Sequence, residues 1–200
     1  MARRVMGLFL LLLASASAQE AVPRLTVSYA VDAAAPESGK IRVTMTVRHN
    51  TEDEVQVSIP AWAPGAYRIV KYSKQVWNVE ATGKEGSKLE ISTVDDQTWK
   101  VKTGRADRFA VTYELTVDKS RMDKDHCFIA GPDTYFYLVN HKEAPCSVGF
   151  TLPDGWKVGT GLDADGPAYE AAVSSYAGLD PDGLRAAARA ALQARTEVSD

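Results

Sequence analysis

The stretch FAVTYELTV at residues 109–117 places an apolar side chain at every second position. Successive side chains of a β-strand point to opposite faces of the sheet, so this alternation predicts a strand with one buried face. Phe109, Val111, Tyr113, Leu115 and Val117 would share that face. The same period appears on both sides of this stretch.

Eight further segments have strand character, and turn-forming residues such as Pro153, Asp154 and Gly155 separate them. These segments are residues 25–31, 41–47, 55–59, 76–81, 88–93, 98–102, 135–139 and 147–152. No helical segment long enough for a parallel crossover precedes residue 165. The sequence therefore predicts a mainly β domain, either an antiparallel sandwich or a saddle-shaped sheet. Its predicted core is Val27, Val43, Met45, Val57, Val111, Tyr113, Leu115 and Phe150.

The composition changes after Gly166, where alanine becomes frequent and β-branched residues become fewer. Asp180 is a good N-cap and Pro181 suits the first helical position. Leu184, Ala188, Ala191 and Leu192 fall on one face at helical spacing. Residues 166–200 are therefore predicted to be an alanine-rich helical tail, which could dock on the sheet, pair with another chain or fray.

The first 18 residues have the order of a secretory signal: Arg3-Arg4, an apolar block from Leu8 to Leu13, and small residues up to Ala18. We expect cleavage after Ala18, although the arginine pair also permits a twin-arginine signal. The apolar block is shorter than the roughly 20 residues that cross a bilayer. The mature chain, with its β domain at residues 19–165, is therefore expected to be secreted or periplasmic, with no transmembrane anchor.

Lysine and arginine number 23 against 26 acidic residues, and the basic residues are scattered along the chain. This argues against a nucleic-acid partner, which requires a basic stripe or patch. The two cysteines, Cys127 and Cys146, could close a loop of about 20 residues in an oxidising compartment. Alternatively, they are buried free thiols. In either case they have a structural role.

Residues 60–67 read PAWAPGAY. Pro60 and Pro64 fix their own φ angles and Gly65 permits a left-handed turn, so this loop is predicted to be stiff. One interpretation is that Trp62 and Tyr67 plug one end of the sandwich. The other is that Trp62, Pro64, Gly65, Tyr67 and Arg68 form a recognition surface.

This segment resembles the PxWxPGxY motif of the glycyl aminopeptidase family, peptidase family 61 of the gluzincin metallopeptidases. The likeness continues through residues 99–101, the strand at 109–115, the aromatic residues 135–137 and LPDGWKV at 152–158. It covers roughly residues 25 to 163. The resemblance implies a β-rich domain that precedes a thermolysin-like catalytic domain. After the tyrosine the family pattern often continues with an arginine-aspartate pair, where this chain has Val70-Lys71.

Catalytic motifs are missing from these 200 residues. There is neither the HExxH that supplies zinc ligands nor a GxSxG elbow, and His49, His126 and His141 are far apart in sequence. The pairs Asp95-Asp96 and Asp123 with Asp125 have the character of solvated turn residues. No catalytic residue, metal ligand or cofactor is therefore predicted.

Three functions follow as hypotheses. The first is an exported non-catalytic binding or accessory module whose partner is a peptide or a separate protein chain. The second is the N-terminal fragment of a zinc aminopeptidase whose HExxH domain is missing from this sequence. The third is an envelope or surface sandwich whose edges bind another chain.

Overall fold

The computed structural model describes residues 23–63 and 67–162, and these form two β-sheets. The strands are β1 (Thr26–Asp32), β2 (Lys40–Arg48), β3 (Glu54–Ser58), β4 (Val76–Thr82), β5 (Lys88–Leu89), β6 (Ile91–Thr93), β7 (Thr98–Lys102), β8 (Arg108–Thr116), β9 (Tyr137–Leu138) and β10 (Cys146–Thr151). The helices are short: α1 (Gly131–Thr134) and the 3-10 turns Pro36–Ser38, Tyr72–Gln75 and Lys84–Gly86. In this part of the chain no helix has the length and apolar character to span a membrane.

The larger sheet has six strands in the order β10-β1-β2-β8-β4-β5, and the smaller has four in the order β6-β7-β3-β9. The predicted mainly β fold with mostly antiparallel sheets is confirmed. The segment predicted as one strand at 88–93 is divided at Glu90, because β5 pairs with β4 in one sheet while β6 pairs with β7 in the other. The chain crosses between the layers at this point.

Among the strands of the described residues, one pair is parallel. β1 and β10, the first and last of these strands, run side by side from Val27 opposite Cys146 to Asp32 opposite Thr151. A parallel pair needs a long connection between its strands, and here most of the domain supplies it. No crossover helix is required.

The buried face of the larger sheet follows the predicted alternation. In β2 and β8 the pairs Val43–Tyr113 and Met45–Val111 lie directly opposite each other, and all four side chains are buried. Seven of the eight predicted core residues are buried. The eighth, Phe150, is partly buried and packs against that core.

Phe136 joins the two layers. Its ring stacks on Tyr113 of the larger sheet with centroids 3.9 Å apart, and on Trp99 of the smaller sheet at 4.7 Å. The Tyr113 hydroxyl donates to the carbonyl of Thr134 and accepts from the amide of Phe136. The Tyr29 hydroxyl donates to the carbonyl of Phe136. Because these polar groups are paired, the segment can lie between the sheets without an unsatisfied backbone.

Candidate functional site

The loop that begins at Pro60 connects β3 of the smaller sheet to β4 of the larger one. Its base is closed by two backbone hydrogen bonds: the amide of Ile59 donates to the carbonyl of Gln97, and that of Val70 donates to the carbonyl of Ala61 at 2.6 Å. We call residues 60–69 the aromatic loop. Of its predicted site residues, Pro64 and Gly65 lie outside the described residues.

The aromatic loop turns its large side chains outward. Trp62 is 50% exposed, Ile69 is 70% exposed and Tyr67 is fully exposed. Arg68 is exposed as well. The interpretation of Trp62 and Tyr67 as a plug for one end of the sandwich is therefore wrong, because a plug must be buried and these side chains are half and fully exposed.

An ion pair ties the end of the aromatic loop to the β6–β7 turn. The Lys71 ammonium lies 2.6 Å from a carboxylate oxygen of Asp96. This hydrogen bond lowers the pKa of Asp96 and raises that of Lys71. Both groups are exposed, so the ion pair orients the end of the loop but contributes little to the stability of the fold.

A second apolar surface involves β10 and the loops around residues 125–131 and 155–162. A groove of about 660 Å³ is lined by Phe128, Tyr135, Phe150, Trp156, Val158 and Leu162, among others. We call it the side groove. Tyr135 is partly buried there, and burial raises the pKa of its hydroxyl to about 12. Its lining is mainly apolar, and it also contains Asp125, His126, Lys157 and Thr160, a mixture that is usual in ligand and peptide sites.

Both cysteines are free thiols in this structure, so of the two alternatives the disulfide is not seen, and neither thiol is fully buried. Cys127 lines the side groove and is partly buried, which raises the pKa of its thiol. Cys146 is exposed at the start of β10. Because the thiolate is the nucleophilic form of cysteine, a thiol whose pKa is raised reacts weakly at neutral pH. The burial of Cys127 therefore does not favour a catalytic role for its thiol.

Each histidine is paired with a different carboxylate. The pairs are His49 with Asp107, His126 with Asp123 and His141 with Glu52, at 3.6, 2.9 and 2.5 Å. Within residues 23–63 and 67–162 no three His, Cys, Asp or Glu side chains gather as metal ligands would.

The acidic pairs are turn residues. Asp95 accepts a hydrogen bond from the amide of Gln97, and Asp123 accepts from the amides of Asp125 and His126. These Asx-type contacts use Oδ1 of each carboxylate to hold its turn, as is usual for aspartates in turns.

Sequence reasoning missed Ile69 and the side groove. The groove could have been suspected from apolar residues in turn-rich segments, namely Phe128, Val158 and Leu162, which belong to no alternating strand pattern. An apolar side chain outside such a pattern has no predicted buried face, so it is a candidate for exposure.

The described residues thus form a β-sandwich domain with two exposed apolar surfaces. The family model of the Peptidase M61 N-terminal domain matches residues 28–179, and the chain belongs to this family.

Among solved structures, the chain is similar to an aminopeptidase N family protein from Idiomarina loihiensis, with a TM-score of 0.57 and 18% sequence identity. The match covers 68% of this chain and 25% of that one, so this chain spans about a quarter of the relative's length. At this identity the likeness concerns the fold. No curated protein sequence matches the chain.

Proposed function

We propose that this chain is an exported, non-catalytic binding module whose aromatic loop contacts an extended peptide or a separate protein chain. The observation that carries the proposal is the outward orientation of Trp62, Tyr67 and Ile69 on a loop with a fixed base. Aromatic side chains are enriched at the energetic centres of interfaces.

The fixed base matters for affinity. Binding costs free energy when a loop must be ordered on contact with its partner, and a preorganised loop avoids much of that cost. The Val70–Ala61 hydrogen bond and the Lys71–Asp96 ion pair supply this order from outside the contact surface. These two contacts would lower the entropic cost of ordering a loop that carries three exposed large side chains.

Export supports the same role. The signal-like order of residues 1–18 would deliver the module to a compartment where it meets peptides and other surface proteins. Sequencing the amino terminus of the processed protein tests this point, and Gln19 is the expected first residue.

The alternative function is the N-terminal part of a zinc aminopeptidase. It is favoured by the family itself and by the match to a quarter of the aminopeptidase N family protein. In that case the aromatic loop would contact the rest of the same polypeptide. Reading the gene downstream of codon 200 in all frames for an HExxH distinguishes the two functions.

Peptide display on the immobilised mature chain tests the binding module. A random peptide library is selected on the wild type, on Trp62→Ala/Tyr67→Ala and on Trp77→Ala. Trp77 is the matched control, since it is 54% exposed but lies in β4, outside the loop. We expect the wild type and the control to enrich the same motif and the double variant to lose it.

Thermal melts of the same three proteins complete the test. We expect the double variant to unfold within about 1 kcal/mol of the wild type, because truncating exposed side chains has small effects. If no motif depends on the aromatic loop, or if the double variant loses about 3 kcal/mol or more, the proposal is wrong.

A further inference from the structure

The side groove concentrates exposed apolar surface. Of the eight large apolar side chains that are exposed in the described residues, Phe128, Val158 and Leu162 all line this one groove. Phe128 is 61% and Leu162 56% exposed. Clustered exposure of this kind indicates a surface that another segment covers.

The position of the groove explains why the sandwich itself does not cover it. β10 is the edge strand of the six-stranded sheet, and its Phe150 is only partly buried. The groove lies between this edge and two loop segments, one containing Phe128 and the other Trp156.

The chain itself continues from the groove. Leu162, the last described residue, is part of the lining, and 38 residues of the 200 follow it. Asp180 is 18 positions further on, a separation that spans up to about 60 Å when extended. The segment that starts there can therefore reach any point of the groove.

We propose that residues 180–195 of this same chain dock in the side groove. Their sequence predicts an apolar stripe of Leu184, Ala188, Ala191 and Leu192. An isolated helix of this length is marginal in water and gains most of its stability from packing an apolar face. An amphipathic helix in an apolar groove is a recurrent mode of recognition. The proposal is independent of the aromatic loop, which does not line this groove.

The thiol of Cys127 provides the assay, because it lines the groove. In the mature chain carrying Cys146→Ser, the rate of Cys127 alkylation by a maleimide reports how open the groove is. Leu184→Asp/Leu192→Asp puts two charges on the stripe. The matched control, Ala186→Asp/Ala190→Asp, puts the same two charges on the opposite face of the same predicted helix.

We expect Leu184→Asp/Leu192→Asp to react about tenfold faster than the parent, which corresponds to about 1.4 kcal/mol of docking free energy. The control variant should react at the parent rate. Because the control replaces two alanines, it weakens helix propensity at least as much, and equal acceleration in both variants would overturn docking by the stripe.

Two other results would also overturn the proposal. Equal rates in all three proteins would mean that the segment does not cover the groove. Protection that increases with protein concentration, together with a dimer in light scattering, would identify a second copy as the occupant. A milder pair, Leu184→Ala/Leu192→Ala, gives the same ranking if the charged variant does not fold.

Discussion

Phe136→Ala is the substitution that most directly tests how the two layers are joined. The ring is fully buried and stacks on both Tyr113 and Trp99. Removing a buried phenylalanine ring costs about 3–5 kcal/mol through lost transfer energy and the cavity left behind. The two ring contacts place this site in the upper part of that range.

Urea unfolding of the mature chain, followed by far-UV circular dichroism, measures the loss. We expect a lower midpoint with an unchanged slope, since the surface exposed on unfolding does not change. A loss of about 4 kcal/mol should lower the melting temperature by about 8–16 °C in a domain of this size.

The matched control is Trp77→Ala, which removes an aromatic ring from an exposed position in β4, outside the side groove. The indole N–H of Trp77 donates to the Thr116 hydroxyl at 3.0 Å, so the substitution should cost about 1 kcal/mol. If Phe136→Ala costs as little as this control, the aromatic stack does not hold the layers together.

Three further predictions test the core, the surface and the chemistry. Val111→Asp should unfold the domain by burying an unpaired charge, and an unchanged melting temperature would contradict this. The hydrogen bond from Arg42 lowers the pKa of Glu114, so Arg42→Ala should raise that pKa, which an NMR titration of the Glu114 carboxyl would measure. This pair stabilises the fold fully at pH values above the ordinary pKa of a glutamate. The stabilisation is lost as the pH falls through the lowered pKa that Glu114 has in the folded protein. The purified chain should contain no stoichiometric zinc and hydrolyse no glycyl or alanyl chromogenic substrate, so zinc at one equivalent with chelator-sensitive activity would contradict it.

The strands were predictable because their buried residues are the apolar residues at every second position, an alternation that is visible in the sequence. In β8 every second residue from Phe109 to Leu115 is buried, as the alternation predicts. The division of residues 88–93 was not predictable, because Leu89 and Ile91 have the same pattern in one strand or in two. Only pairing with β4 and β7 decides to which sheet each residue belongs.

The short strand β9 shows a second limit. Residues 135–139 read as a strand, but the strand is only Tyr137–Leu138, and the amide of Val139 adds one further hydrogen bond to Gln56 of β3. Phe136 leaves the ladder to enter the space between the sheets, where the side chains of Tyr113 and Trp99 hold it. The residues around Phe136 do not indicate that Tyr113 and Trp99 will contact it. Strand propensity alone therefore predicts a strand that is too long.

The aromatic loop could be located from sequence, but its role could not be assigned, because burial of an aromatic ring depends on what the opposite layer already contains. Phe136 fills the space between Tyr113 and Trp99. Because protein interiors are close-packed, this space has no room for a second large ring. Trp62 is half exposed instead, on a loop whose two ends are joined by the Val70–Ala61 hydrogen bond. Because Trp62 exposes half of its surface and Tyr67 all of it while Phe136 already fills the space between the sheets, contact with a partner would not require either ring to leave the core.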